Sequence, residues 1–252
     1  MIDRRSCCLT LAAGLASVAS STRPAMSQTA APAIPRMVVE LFTSQGCSLC
    51  PPADALLAEL AEQPDIVALT LPVDYWDYLG WKDTLASPAH TARQKSYAII
   101  RGDRQVYTPQ AVINGVMHAV GSNRGQIERA GAYSQGRDGA LTAPVSLSHA
   151  DGRWIAHLPA AAGAAAQLIV MTVMKSQDVT IKRGENANRT LTYANVVRSI
   201  ALLGEWNGQA HSVAIDPALI VGDHADAFVL LVQAMHAGKP GAILGAAKGA
   251  GL

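Results

Sequence analysis

VVELFTSQGCSLCPPADALLAEL, residues Val38 to Leu60, is the stretch that decides how the rest of the chain is read. An apolar run, Met37 to Phe42, has strand character and stops shortly before Cys47 and Cys50. After them Leu56, Leu57 and Leu60 recur at helical spacing, one face of a helix that opens near Pro51. Proline just inside a helix start sacrifices no hydrogen bond, because the first amides have no intrahelical acceptor. Two cysteines three residues apart at such a start lie on the same side of the helix, within reach of one disulfide. The positive end of the helix favours thiolate over thiol, so one of them is expected to ionise below the free value of about 8.5.

The composition narrows the field. Half of the 252 residues are apolar and 15% are charged, which suits a chain that builds a core. A formal net charge of +1 gives no electrostatic footprint for nucleic acid. Residues 1–27 read as an export signal: Arg4 and Arg5 precede a small apolar run from Cys7 to Ser20, and Ala25-Met26-Ser27 offers a cleavage site. The apolar run is short for a bilayer span, so no membrane span is expected in the mature protein, which would be periplasmic or secreted. Cys7 and Cys8 would leave with the signal, and the mature chain would keep two cysteines in an oxidising compartment. A bridge between positions 47 and 50 closes so small a loop that it constrains the unfolded chain little. The spacing suits redox chemistry better than stapling.

Residues 28–36 read as an Ala/Pro linker, followed by a first unit over 37–135. Its helix over Pro52 to Glu62 ends at Gln63-Pro64-Asp65, and Ile66 to Val73 is a second apolar strand. Strand, helix and apolar strand in that order imply a parallel pair with a right-handed crossover. The aromatic segment Asp74 to Asp83 reads as a loop at the same sheet edge as the cysteines, where open parallel sheets bind ligands. Tyr75, Trp76 and Trp81 give it rigid contact area for a substrate wall, or equally a cap on the sheet end. Ser87-Pro88 starts a second helix that runs to about Ile100. Thr108-Pro109 precedes a short strand over Gln110 to Ile113, Asn114-Gly115 signals a hairpin into Met117 to Val120, and a helix spans Asn123 to about Tyr133.

Residues 136–143 have linker composition. Over 144–252, strand-like runs fall at Val145 to Ser148, Trp154 to Leu158, Gln167 to Lys175, Val196 to Leu203, His211 to Ile215 and Phe228 to Met235, separated by Gly, Asn and Asp turns. That pattern suggests an antiparallel β-sandwich. Ala161 to Ala166 is expected to be a small-residue loop, and Gly184 to Arg189 a polar turn.

The β-α-β-α-β-β-α order, with Cys-x-x-Cys after the first strand and Thr108-Pro109 ahead of the hairpin, resembles the thioredoxin fold. The phrases ELFTSQGCSLCPPAD, DYWDYLGWKD, YTPQAVING and RGENANRTLTYANVV are similar to a narrower family. It consists of exported bacterial proteins catalogued as a domain of unknown function, thioredoxin-like in the first half and β-rich in the second. The expected fold class is therefore an α/β thioredoxin-like N-terminal domain followed by an antiparallel β-sandwich-like C-terminal domain. The resemblance implies a cis Pro109 beside the cysteines, with the Thr108 backbone free to pair with a substrate chain. It also implies a buried acid on the first strand, for which Glu40 is the nearest candidate. Two departures stand out: the intervening dipeptide is Ser48-Leu49, and no tryptophan precedes Cys47.

The expected function is exported thiol–disulfide exchange with protein thiols or disulfides, or with a redox partner protein, and it needs no bound cofactor. Cys47 would attack and Cys50 would resolve the mixed disulfide. Two other readings use the same residues. One is a Cu(I)- or other metal-handling protein, since soft thiolates favour that ion; no Met- or His-rich tract flanks the pair, and no metal ligand is assigned. The other is a non-catalytic thioredoxin-fold binding module.

Overall fold

A computed structural model describes residues 35–161, 165–222, 224–249 and 251–252. The expected signal, Cys7, Cys8, most of the linker over 28–36 and the middle of the Ala161–Ala166 loop lie outside the described residues. No helix among the described residues is long and apolar enough to cross a membrane.

The first half follows the sequence closely. β1 (Met37–Thr43), α1 (Pro51–Ala61), β2 (Ile66–Pro72), α2 (Pro88–Arg101), β3 (Gln110–Ile113), β4 (Met117–Val120) and α3 (Arg124–Ser134) appear in that order. β1 pairs parallel with β2 and antiparallel with β3, and β3 pairs back on β4 through Asn114-Gly115. Both turn residues have positive φ, 53° and 69°, which is what a tight hairpin of this handedness requires. Alternation on β1 divides two cores. Met37, Val39 and Leu41 pack on Ala53, Leu56, Leu57 and Leu60 of α1, while Val38 and Phe42 face a second cluster with Tyr97 of α2.

The second half overturns the expected fold class. It comprises β5 (Ser146–Ala150), β6 (Arg153–Leu158), β7 (Ala166–Ile181), β8 (Arg189–Trp206), β9 (His211–Ile215), β10 (Ala227–His236) and β11 (Lys239–Lys248). β7, β8, β10 and β11 continue the sheet of the first half, in the order β11-β10-β7-β8-β2-β1-β3-β4. The junction is a parallel contact of β8 with the outer edge of β2, at Thr70 and Val196. Side chains reinforce it: Thr70 Oγ1 donates to the Ala194 carbonyl at 2.6 Å, and Asn195 Nδ2 donates to the Ala68 carbonyl at 3.0 Å. The molecule is thus built on one mixed eight-stranded sheet, not on a small thioredoxin-like domain followed by a separate sandwich. A strand buried on both faces leaves its edge to be covered, and β8 covers that of β2.

Among the described residues β5, β6 and β9 form a second sheet, of three strands. Ala156, Leu158 and Ile215 from it pack on Leu168, Val170, Leu230 and Leu244 of the large sheet. The large sheet curls until its far strand meets the first half again. The Ile243 N–H donates to the Asn114 carbonyl at 2.9 Å, and Leu141 and Ala143 of the 136–143 segment donate to Ile243 and Leu244.

β7 and β8 are far longer than the expected runs. Past Lys175 and before Val196 their residues turn largely polar and less buried, and the two strands continue as a hairpin beyond the rest of the sheet. Its tip, Lys182 to Asn188, reaches the cysteine segment described next.

Candidate functional site around Cys47 and Cys50

Cys50 occupies the N-cap of α1, and its carbonyl accepts from Ala53 at 2.8 Å and Asp54 at 3.1 Å. Pro51 and Pro52 follow without loss, since the first amides of a helix have no internal acceptor. The two cysteines are joined in a disulfide, with Cα atoms 5.4 Å apart. Cys50 is fully buried and Cys47 is 6% exposed, whereas Leu49 between them is 71% exposed.

Thr108-Pro109 is cis. Cys47 Sγ lies 3.8 Å from the Thr108 carbonyl oxygen, so the structure brings both predicted residues to the sulfur. Gly121 permits the approach: a Cβ built there would lie 2.5 Å from Leu41 Cδ1, 3.1 Å from Pro109 Cβ and 3.2 Å from Ala53 Cβ. Pro109, β1 and the first turn of α1 meet over that glycine.

The aromatic segment does two jobs. Trp76 Nε1 donates to Thr108 Oγ1 at 2.7 Å, and Trp76 stacks on Tyr78, which is 75% exposed. Trp81 Nε1 donates to Gln45 Oε1 at 2.8 Å. Asp83 accepts the Gln45 N–H at 2.8 Å and the Leu85 N–H at 2.8 Å. Trp76 therefore braces the Thr108 side, while Trp81 and Asp83 brace the segment that leads into Cys47. Tyr75, half-buried like Trp76, packs beside it on the core that contains Phe42 and Tyr97.

Glu40 is placed elsewhere. It lies on the α2 side of the sheet, opposite α1, fully buried. There it accepts from Arg93 Nε at 2.6 Å and Tyr97 Oη at 2.5 Å, and Arg93 also donates to Gln233 Oε1 at 2.8 Å. It is the centre of a polar cluster linking β1, α2 and β10, and the structure does not bring it to the cysteines.

The buried acid on the α1 side is Asp54, one helical turn after Cys50 and absent from the sequence expectation. Its Oδ1 accepts from Thr43 Oγ1 at 2.7 Å, and its Oδ2 has no partner among the described residues. Burial pushes its pKa up to about 7; the Thr43 hydrogen bond opposes this and the nearby Asp83 adds to it. Burial likewise raises Asp83 to about 6. Tyr193 of β8 shares this environment: burial, then the charges of Asp54 and Asp83, hold its phenol well above the ordinary range. The signal available in the sequence was Asp54 itself, an acid at i+4 from Cys50 within an otherwise apolar helix face.

The second half also reaches the site. Asn186 and Glu185, at the tip of the β7–β8 hairpin, bond to residues 45–48. Sequence reading favours a polar loop over a ligand-binding segment for Gly184 to Arg189; the length of the flanking strands is what delivers it here. Among the described residues no group of three His, Cys, Asp or Glu side chains gathers into a metal-ligand set. A cavity of about 780 Å³ is bounded by Arg101, His118, Trp206 and His236 and includes none of residues 45–50.

Comparison with known proteins adds two structures. The chain is similar to protein AGR_C_4864 of Agrobacterium tumefaciens, with 34% identity and a TM-score of 0.77 over 86% of this chain and 95% of that one. It is also similar to HBP35 of Porphyromonas gingivalis, with 13% identity and a TM-score of 0.54 over 85% of this chain and 74% of that one. At that identity the likeness concerns the fold alone. No curated protein matches the chain. A family model covers residues 38–233, most of the sequence, and the chain therefore belongs to the family described as protein of unknown function (DUF1223).

Proposed function

We propose that this protein exchanges disulfides with protein thiols in the manner of thioredoxin-like oxidoreductases, outside the cytoplasm. The observation that carries the reading is the Cys47–Cys50 disulfide at the start of α1, with Cys47 Sγ 3.8 Å from the carbonyl that precedes cis Pro109. The exposed Ser48-Leu49 edge and the Trp76–Tyr78 stack supply a rim for a protein segment, while the 780 Å³ cavity lies apart.

In the reduced protein the Cys47 thiolate attacks one sulfur of a partner disulfide. A Cys47–partner bond forms and the second partner sulfur leaves as thiolate, which takes a proton. Cys50 then loses its proton and attacks Cys47 Sγ. The mixed disulfide breaks, the Cys47–Cys50 bond forms, and the first partner sulfur leaves. Two electrons pass to the partner. Asp54, buried one turn from Cys50 and held near neutrality, is suited to take the Cys50 proton. Run backwards, the same steps oxidise a partner dithiol.

Cys50→Ser stops the second step, so the variant is expected to accumulate mixed disulfides through Cys47, visible as dithiothreitol-sensitive adducts. Absence of adducts, together with no reduction of insulin by the native protein, contradicts the reading. A second reading has a specific observation behind it. Cys47 is only 6% exposed, which favours an inert bridge in a binding module. That reading predicts no adducts and a disulfide that glutathione leaves intact.

A further inference from the structure

The tip of the β7–β8 hairpin grips the segment that carries Cys47. Asn186, buried, donates through Nδ2 to the carbonyls of Gln45 at 3.0 Å and Cys47 at 2.9 Å, and its Oδ1 accepts from Arg189 Nη1 at 3.1 Å. Beside it, Glu185 Oε2 accepts the Ser48 N–H at 3.2 Å. Gly184, with φ +80°, lets the turn lie against Trp81; a Cβ there would stand 3.3 Å from Trp81 Cβ.

A thiolate at Cys47 is stabilised by the positive dipole at the opening of α1 and by backbone amides of the turn that leads into it. The Ser48 amide lies in that turn, ahead of the Cys50 N-cap, and a carboxylate already engages it. The elements packed here carry other charged groups: Asp54 on α1, Asp77 and Asp83 in the aromatic segment, and Lys182, Arg183 and Arg189 on the hairpin. Among the described residues, Glu185 is the side chain that accepts a hydrogen from the backbone of residues 47–50, and Arg189 is committed to Asn186.

We infer that Glu185 competes with the Cys47 thiolate for the start of α1 and thereby sets the redox poise of the cysteine pair. The second half of the chain then tunes the chemistry of the first. The inference rests on the exchange reading only in that exchange gives the poise a use. Its electron balance is simple. Reducing the bridge takes two electrons, and two protons if both sulfurs end as thiols, or one if Cys47 ends as thiolate. Whatever penalises that thiolate penalises the reduced form, so Glu185 makes the pair a stronger reductant. Removing its charge makes the pair more oxidising.

Two substitutions separate charge from contact. Glu185→Gln keeps an oxygen for the Ser48 amide and loses the charge; Glu185→Ala loses both. Cys47 ionisation is followed, in the Cys50→Ser background, by the pH dependence of alkylation. The poise of the intact pair is followed by equilibration with glutathione buffers. In both variants Cys47 is expected to ionise at lower pH by about half a unit, and the reduced-to-oxidised ratio to rise about threefold. That ratio corresponds to roughly 15 mV. Because Glu185 is solvent-exposed, the shift is expected to shrink in 1 M salt. An unchanged poise in Glu185→Gln, or a shift towards a stronger reductant, overturns the inference. Adduct trapping is read in parallel. Loss of trapping with the Glu185→Gln shift intact overturns the exchange reading and leaves the tuning standing. Trapping intact with no shift overturns the tuning alone.

Discussion

At Asp54 a carboxyl group is shut away from water with one oxygen held by Thr43 and the other unpartnered. Burial raises its pKa from 3.8 to about 7, and burial raises that of Asp83 to about 6. Between pH 4 and 7 the folded protein keeps a proton on Asp54 that the unfolded chain has released. The resulting stabilisation is complete below pH 4 and is lost as the pH rises through 7. Asp54→Asn keeps the shape and the acceptor for Thr43 but does not titrate. The variant is expected to match the native protein near pH 4 and to exceed it at pH 8 by roughly 3–5 kcal/mol in urea unfolding, an order-of-magnitude figure for a rise from 3.8 to about 7. An unchanged pH dependence contradicts the assignment. The Glu40 carboxylate is held by the buried Arg93 and Tyr97. Arg93→Ala strands that carboxylate without a cation and is expected to cost about 3–5 kcal/mol in the same unfolding measurement. The reduction potential of the cysteine pair is expected to stay where it was, since the cluster lies across the sheet from α1. A large change in potential would place Glu40 in the redox machinery after all.

Among the elements, the β7–β8 hairpin is the one whose length matters most. Asn186→Ala leaves the Gln45 and Cys47 carbonyls without their side-chain donor, at a cost of about 1–3 kcal/mol. Amide hydrogen exchange is expected to quicken over residues 45–49 while α1 beyond Leu56 keeps its protection; equal protection in variant and native protein would show that the clasp does not hold the segment. The hairpin is also where sequence reading fell short. β1, α1, β2, α2 and the β3–β4 hairpin were legible because each carries a local signal: an apolar run, leucines at helical spacing, Ser87-Pro88, Asn114-Gly115. Lys175 to Ile181 and Arg189 to Asn195 are largely polar, since they leave the core, and hydrophobic pattern is silent on strands that do so. β11 was missed for a related reason: KPGAILGAAK is rich in Gly and Ala, which carry little strand preference. The site was legible in Cys47, Cys50, Thr108, Pro109, Trp76 and Trp81. It was not legible in Asp54, Glu185 and Asn186, whose roles arise from packing between distant segments.

For the molecule as a whole, the deciding fact is the seam between β2 and β8, which no local pattern encodes. Edge pairing is settled by which buried edge remains uncovered, and that depends on the entire sheet. A chain ending at residue 143 loses β8 from the β2 edge, Gln233 from the Glu40 cluster, and the β7, β10 and β11 side chains that share a core with Phe42 and Tyr97. Such a fragment is expected to give no cooperative unfolding transition and to aggregate; a monomeric fragment with a sharp transition would show that the first half folds alone. The same seam carries the hairpin to Cys47, so the proposed exchange is a property to test on the full chain. The reduction potential of the Cys47–Cys50 bridge, measured on that chain in glutathione buffers, tests the central claim most directly. A reversible value between roughly −120 and −270 mV is expected, the range of exchanging pairs. A value below about −300 mV, with the bridge untouched by glutathione, would make it a staple and contradict the exchange function.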